Sequence, residues 1–413
     1  MATGIPKKKK SSKNSIIELK YDIKINKEDL LQSHYSCYTD IWRTQDNAFN
    51  KLFYGDNLDV LLYLLNNGYK NTVNLIYIDP PYSTSSVFVN REQKVAYHDT
   101  LDGYDYIEFL RRRFLIMYDL LSQTGSFYIH LDERMVFPIK IILDEIFGVC
   151  NFRAFITRKK CSPKNSTRTT YGDISDYILF YSKTKNYVWN KPSVAWSNEK
   201  IIEQYPCIDE ATGRRYKKVP IHAPGVRNGD TGKPWRGMMP PLGKHWQYTP
   251  EKLDMLDAAG EIAWSKNGNP RRKVFFDGKQ GIPMQNIWLD YQDFVNQSQI
   301  STGYPTEKNI EMLKTIISAS SNKGDIVLDC FAGSGTTLSA AELLERRWIG
   351  VDNSQESIQT IISRLLFEEQ SYGDYVIKRR SNSCSRKLTK CAFQIFAIEK
   401  DKNNIISYCN LNK

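Results

Sequence analysis

Val73–Ile78 (VNLIYI) is apolar at nearly every position and stops abruptly at Asp79-Pro80-Pro81-Tyr82. A strand apolar on both faces is buried on both, the habit of parallel sheets covered by helices. Parallel neighbours need long crossover connections, so such a chain must alternate strand and helix. The first 185 residues do so. Lys51–Asp56 (KLFYGD) reads as a short strand before an apolar-periodic helix that Gly68 ends. Tyr104–Ser122 carries a helical stripe at Ile107, Leu110, Phe114, Leu115 and Leu121, closed by Gly125. Ser126–Leu131 is a further buried strand, Pro138–Phe147 a helix, and Arg153–Arg158 and Tyr177–Ser182 are strands.

From about Lys183 to Asn286 the alternation lapses into a stretch rich in Gly, Pro and basic residues that holds five of the eight tryptophans. It resumes with helix Ile310–Ser318, strand Asp325–Cys330, helix Thr337–Arg347, strand Trp348–Asp352 and helix Ile358–Phe367. The tail has weak strand-like stretches at Tyr375–Ile377 and Phe393–Ile398. With 413 residues and 41% hydrophobic content the chain can bury a sizeable core. Its longest apolar runs fall far short of the roughly 18–20 residues that span a bilayer. The lysine run at residues 7–10 precedes no apolar stretch, so a cytoplasmic protein without membrane association is expected. Eight cysteines without a Cys-x-x-Cys pair speak against a disulfide framework and a metal site, and read as small buried hydrophobes.

The net charge of +11 is unevenly spread. Residues 1–14 carry +5, 15–150 carry −6, 151–275 carry +12, 276–372 carry −6 and 373–413 carry +6. A basic block between two acidic ones suits a polyanion-binding module set into a catalytic domain, although a solvated lysine-rich surface gives the same count.

Two motifs sit at strand ends. The first to carry chemistry is Asp329-Cys330-Phe331-Ala332-Gly333-Ser334-Gly335-Thr336-Thr337, a strand-to-helix turn whose glycines let backbone approach a ligand closely. Asp352 ends the next strand 17 residues after Gly335, near the spacing at which a carboxylate takes ribose hydroxyls. The third glycine of a nicotinamide fingerprint is replaced by Leu338, and the lysine of a phosphate loop is missing. With Asp329 at the loop entrance, a cationic nucleoside such as S-adenosylmethionine fits better than a pyrophosphate. In the second motif, Asp79 and the carbonyl of Pro80 could accept both hydrogens of an exocyclic amino group and localise its lone pair. Pro81 stiffens the turn, and Tyr82 could stack on a base flipped out of its duplex.

Together the motifs resemble those of the S-adenosylmethionine-dependent DNA amino-methyltransferases of restriction-modification systems. The turn at 331–335 is similar to their F-x-G-x-G pattern and 79–82 to their D/N/S-P-P-Y/F/W pattern, in the permuted order of the β class. YGDNLDVL (54–61), GSFYIHLDE (125–133), DYILFYSK (176–183), WSKNGNPRRK (264–273), MQNIW (284–288) and GYPTEKNIEMLKTIISASS (303–321) look similar to modification subunits. The resemblance spans roughly residues 50–370. It implies an α/β fold, a seven-stranded, mostly parallel, doubly wound methyltransferase sheet with an inserted target recognition domain. The expected division is an N-terminal extension 1–45, a catalytic half 46–185, a recognition domain 186–285, a cofactor-binding half 286–372 and a basic C-terminal extension 373–413.

The same resemblance implies that Asp56 contacts the cofactor adenine, that Asp329, Phe331, Ala332, Gly333, Ser334, Gly335 and Thr337 line the cofactor, that Asp352 binds its ribose, and that Thr306 and Lys308 touch its methionine carboxylate. Thr306 could equally cap the following helix. The chain departs from the pattern at Glu307 and Asn309, where the family more often has Gln and Pro. Asp79, Pro80, Pro81 and Tyr82 would be catalytic, and Ser83–Asp99 would close over the flipped base. Arg214, Arg215, Arg236, Arg271 and Arg272 are the pool for contacts to double-stranded DNA. A cognate restriction endonuclease and a homodimer are compatible with the resemblance, which fixes neither.

Competing chemistries fit less well. Cytosine C5 methylation needs a cysteine nucleophile in a Gly-rich loop, and Pro206-Cys207 sits in QYPCIDE. A zinc deaminase needs paired cysteines. His130, beside Asp132 and Glu133, reads as a sheet-edge residue rather than a base. A non-catalytic DNA-binding protein on this fold would be expected to lose the DPPY residues or the glycines. RNA or protein amino-methylation would not call for a basic module within the fold. Adenine N6 and cytosine N4 share the amino chemistry; Asp at the first catalytic position leans to adenine within the family.

Overall fold

Val73–Ile78 lies where its apolar faces require, near the centre of a large sheet with Leu75, Ile76, Tyr77 and Ile78 buried. The computed structural model describes residues 17–46, 48–81, 87–89, 95–98, 103–162, 169–278, 281–293, 308–367 and 391–410. The sheet has ten strands: β1 Thr39–Arg43, β2 Asn50–Tyr54, β3 Val73–Ile78, β4 Leu121–Leu131, β5 Phe152–Lys159, β6 Ser175–Ser182, β7 Ile287–Trp288, β8 Ile326–Asp329, β9 Arg347–Asp352 and β10 Phe393–Ala397. Side by side they run β1-β10-β2-β9-β8-β3-β4-β6-β5-β7. From β10 to β4 every neighbouring pair is parallel; β6 is antiparallel to both β4 and β5, and β1 to β10.

Seven of these strands, β2 to β6 with β8 and β9, are those the sequence marks; β10 falls on the weaker stretch Phe393–Ile398, β1 and β7 are additions, and Tyr375–Ile377 lies outside the described residues. β7 is two residues long, too short to show a period. β1 and β10 come from the segments expected as extensions, so parts of both belong to the sheet. β10 alternates buried Phe393, Ile395 and Ala397 with half-buried residues, the period of a strand with one apolar face. Upstream of β1, the chain is tied to the helical layer: Tyr21 Oη donates to Glu108 Oε2 at 2.6 Å and Leu19 N to Glu145 Oε1 at 2.7 Å.

Helix Gly103–Leu120 buries Leu110, Phe114, Ile116, Met117 and Leu120, and helix Val136–Phe147 buries Ile139, Ile142 and Leu143. They share one core with Phe127 and Ile129 of β4 and with Leu328 and Val351 of β8 and β9. Each such side chain removed from water stabilises the fold by about 1.5–3 kcal/mol. His130 is not at a sheet edge. It is fully buried in β4, between Asp176 Oδ2 at 2.7 Å and Tyr77 Oη at 3.0 Å, and burial holds its pKa below the usual value. Of the described cysteines only Cys330 and Cys391 are buried, while Cys37 and Cys150 are exposed, so the expectation of mostly buried thiols does not hold. No helix among the described residues is long and apolar enough to cross a membrane.

By contacts the chain separates into two units, Met1–Pro192 with Gln285–Lys413, and Ser193–Met284. The second has an antiparallel sheet in the order Cys207–Ile208, Arg215–Pro220, Pro270–Phe275, Ile262–Trp264. Helix Pro250–Ala258 starts at an N-cap, Thr249, with proline in its first turn. Trp235 and Trp246 join Ile221, Leu253, Leu256 and Ile262 in a small core. The division redistributes the basic block. Residues 151–192, in the first unit, hold nine Lys and Arg against two acids, and 193–275 hold fourteen against nine. More than half of the excess therefore belongs to the unit with the large sheet.

Candidate active site

β8 feeds helix Thr336–Leu343 and then β9 on one side, while β3 feeds helix Gly103–Leu120 and then β4 on the other. Adjacent parallel strands whose crossovers leave in opposite directions open a crevice at their carboxyl ends, where open α/β sheets bind ligands. The register Val327↔Leu75 and Leu328↔Ile76 brings the two strand ends level. The two motifs, some 250 residues apart in sequence, thus leave the sheet side by side.

On the β3 side, Asp79 is partly buried and forms an ion pair with Lys308 Nζ at 3.1 Å, and Lys308 is itself buried. Pro80 is buried. The carbonyl of Pro81 accepts a hydrogen bond from Tyr106 Oη at 2.5 Å, which fixes the turn. Tyr82 and Thr306 lie outside the described residues, as does most of Ser83–Asp99; within that segment Val87–Val89 and Val95–His98 pair as a hairpin. The helix after Lys308 is capped by Asn309, whose side chain accepts from Glu311 N at 2.9 Å and Met312 N at 3.3 Å. The residue that departs from the family pattern thus supplies the cap.

On the β8 side, Gly333 and Gly335 have φ of 50° and 74°. A Cβ at Gly335 would stand 2.8 Å from Ile361 Cγ1. Gly333 N donates to Asp352 Oδ2 at 2.8 Å and Ser354 N to Asp352 Oδ1 at 2.9 Å, so the end of β9 pins the glycine turn. Phe331 N donates to Asp329 Oδ1 at 3.0 Å, and Thr337 also bonds the Asp329 carboxylate. Ala332, Ser334 and Thr337 are buried. Arg364 Nη1 donates to Ser334 O at 2.7 Å and to Thr336 Oγ1 at 2.9 Å, bracing the loop from behind.

Asp56 is the N-cap of helix Asn57–Leu64, accepting from Leu58 N at 2.8 Å and Asp59 N at 3.2 Å. Its other oxygen takes Arg113 Nη2 at 3.3 Å. Arg113 is buried, bonds Asn57 Oδ1 at 2.5 Å and lies 3.5 Å over the Phe109 ring. Phe109 meets Phe331, and Asn57 Nδ2 reaches the Cys330 carbonyl at 2.8 Å. Arg113 therefore joins the Asp56 turn to the glycine turn. The sequence reading overlooked it, although a charged residue three positions after Leu110, on the apolar stripe, is the available signal. Burial lowers its pKa to about 10.

Three carboxylates, those of Asp79, Asp329 and Asp352, converge here. Burial pushes Asp329 up to about 7, with the charges of Asp79 and Asp352 adding to the effect, and burial also raises Asp352. Buried carboxylates held away from their charged form are a setting in which a cationic ligand gains.

In the second unit, Arg236 pairs with Asp254 at 3.1 Å and Asp257 at 2.6 Å. Arg272 donates to Tyr248 Oη at 2.5 Å, Arg215 to the Tyr205 carbonyl at 3.4 Å, and Arg214 covers the Phe275 ring. Arg271 is exposed. The register Lys218↔Lys273 and Pro220↔Arg271 puts Lys218, Lys273 and Arg271 on one sheet face.

The N6_N4_Mtase family, described as DNA methylase, matches residues 73–363, a stretch that contains both turns and the segment between them. The chain belongs to the DNA methylase family. It is similar to the type II methyltransferase M.EcaI of Enterobacter cloacae, 48% identical over 327 residues that make up 79% of this chain and 72% of that one. It is also similar to the type III restriction-modification enzyme StyLTI Mod subunit of Salmonella typhimurium, 28% identical over 72% of this chain and 50% of that one. Among solved structures it is similar to the PvuII DNA methyltransferase (cytosine-N4-specific), at 13% identity and a TM-score of 0.47 over 90% of this chain and 94% of that one.

The methylase uses S-adenosylmethionine, which when bound supplies a methyl group made electrophilic by a sulfonium. The crevice fits such a group: the carboxylates of Asp79, Asp329 and Asp352 lie close enough to feel one another, a setting in which a positive charge would gain, and the left-handed glycines carry no side chain that would block it.

Proposed function

We propose that the methylase acts on the N6 amino group of an adenine flipped out of duplex DNA, as the modification enzyme of a restriction-modification system. The observation that carries this reading is the position of Asp79, at the end of β3 and next to the glycine turn across the switch point of the sheet. An exocyclic amino nitrogen is a weak nucleophile because its lone pair is shared with the ring. Asp79 and the Pro80 carbonyl accept its hydrogens, which returns density to nitrogen; the N–CH₃ bond would form as the S–CH₃ bond breaks, its electron pair staying on sulfur as a neutral thioether, and Asp79 takes the proton that nitrogen gives up. Tyr82 holds the ring by stacking. Positioning and fixed dipoles supply the acceleration, without a covalent enzyme intermediate.

Asp56, Phe331, Ala332, Gly333, Ser334, Gly335, Thr337 and Asp352 hold the cofactor in this reading, with Thr306 and Lys308 at its carboxylate. Residues 193–284 serve target recognition. Lys218 stands opposite Lys273, whose charge Asp209 answers at 2.6 Å, and the exposed Lys218 and Arg271 on that face supply the phosphate contacts in this reading. Arg214 extends the same contact, whereas Arg215, on the other face of the strand, bonds the Tyr205 carbonyl, and Arg236 and Arg272 have internal partners. Adenine is favoured by Asp at the first catalytic position. The names of the two relatives support the restriction-modification setting, in which an endonuclease of the same specificity is the partner.

The test is incubation of the purified chain with methyl-labelled S-adenosylmethionine and duplex DNA, followed by nucleoside mass spectrometry. N6-methyladenine is expected. N4-methylcytosine would overturn the base assignment, and transfer to RNA alone would overturn the DNA reading.

A further inference from the structure

Lys308 and Arg113 are buried cations at the crevice, and Arg158, also buried, is held by Asp176 and Asp293. Arg113 is committed to Asp56 and Asn57 and covered by Phe109. Lys308 instead faces the reaction: its side chain is 8% exposed and its ammonium sits on Asp79, the proposed acceptor of the amino proton. The backbone beside it is anchored, because Asn309 caps the next helix and its Nδ2 donates to the Gln292 carbonyl at 3.0 Å. Any change of partner must therefore come from the side chain.

S-adenosylmethionine brings two positive groups, sulfonium and ammonium, and one carboxylate. Asp79, Asp329 and Asp352 can answer the positive groups; the carboxylate needs a cation. An ammonium carries three donors and can serve two carboxylates or pass from one to the other. We infer that Lys308 is shared between Asp79 and the carboxylate of the cofactor, so that cofactor binding draws it off Asp79 and frees that oxygen for the amino group of the target base. This rests on the methylation reading above and adds a coupling to it: Lys308 is a positioning residue through which an occupied cofactor site prepares the base acceptor. Coupling of this kind is reciprocal, so weakening the hold of Asp79 on Lys308 must strengthen the hold of Lys308 on the cofactor.

S-adenosylhomocysteine is the discriminating probe, since it keeps the carboxylate and lacks the sulfonium, whose attraction to Asp79 would mask the effect. Its affinity for the full chain is measured by calorimetry for wild type, Asp79→Asn, Lys308→Met and the double variant. Asp79→Asn should bind about five- to tenfold tighter than wild type, the lower range of typical coupling between sites. In the Lys308→Met background the Asp79 substitution should change nothing. Asp79→Ser, equally neutral, repeats the measurement if the asparagine variant does not fold. The inference is overturned if both neutral variants bind no tighter than wild type, or if the gain persists without Lys308. The same wild-type preparation is assayed for methyl transfer to DNA: absence of transfer removes the methylation reading, whereas transfer without the affinity gain removes the role of Lys308 alone.

Discussion

Asp329 makes cofactor affinity depend on pH in a direction that can be worked out beforehand. Its folded pKa is raised to about 7, from the 3.8 of an ordinary aspartate, because it is buried beside Asp79 and Asp352. The fold therefore favours the protonated form, and the carboxyl ionises only as pH rises through about 7. A cationic ligand favours the ionised form. If binding requires that form, a group titrating near 7 is about 9% ionised at pH 6 and about 91% at pH 8, so affinity should rise about tenfold between them. Binding at pH 6.5 should also release a proton, visible as a dependence of the calorimetric heat on the ionisation enthalpy of the buffer. Asp329→Asn should bind more weakly at pH 8 and lose most of the pH dependence. Linkage gives a companion expectation for the cofactor-free protein. Its stability should fall as pH climbs from about 4 to about 7, where the unfolded carboxyl is ionised and the folded one is not. Affinity flat from pH 6 to 8, or a slope unchanged in Asp329→Asn, would refute the reasoning.

Asp79→Ala should abolish methyl transfer while cofactor still binds; near-normal turnover would remove the proposed chemistry. Gly335→Asp should lose cofactor binding in an equilibrium assay. Even Gly335→Ala should destabilise the fold by about 2–4 kcal/mol, from the left-handed backbone and the overlap with Ile361 Cγ1 at 2.8 Å, measured by denaturant titration. Lys218→Ala with Arg271→Ala should weaken DNA binding across sequences and lower the slope of log affinity against log salt by about 2, read from binding at several salt concentrations. An unchanged slope would place the phosphate contacts elsewhere.

Much of the centre of this fold is legible in the sequence, because strands buried on both faces leave short apolar runs with abrupt ends. Val73–Ile78 and Ile326–Asp329 announce themselves this way, and the turns that follow them carry the chemistry. The periphery is harder. β1 has no buried residue, and β7 gains its place from pairing with β5 rather than from any pattern of its own. Arg113 escapes notice because a run of three arginines suggests a solvated face, whereas only the partners Asp56 and Asn57, far away in sequence, make its burial tolerable. The tryptophans of the second unit show no period that would mark a core, yet Trp235 and Trp246 are core residues whose indole N–H groups find partners in Asp254 and the Lys233 carbonyl. The charge blocks followed sequence windows rather than units, so much of the excess assigned to the insertion lies on the β5–β6 side of the large sheet.

The position of β10 has a consequence for how the protein is made. Phe393–Ala397 is inserted between β1 and β2, two strands that leave the ribosome some 340 residues earlier. β8 and β9 likewise enter together between β2 and β3 and must arrive before the crevice exists. A growing chain thus holds open two places in its sheet, and until β10 arrives β2 presents an unpaired edge to other chains. Synthesis that stops short of residue 393 should yield aggregation rather than a slightly shortened methylase, and refolding should be slow, because the last contacts to form close the longest loops.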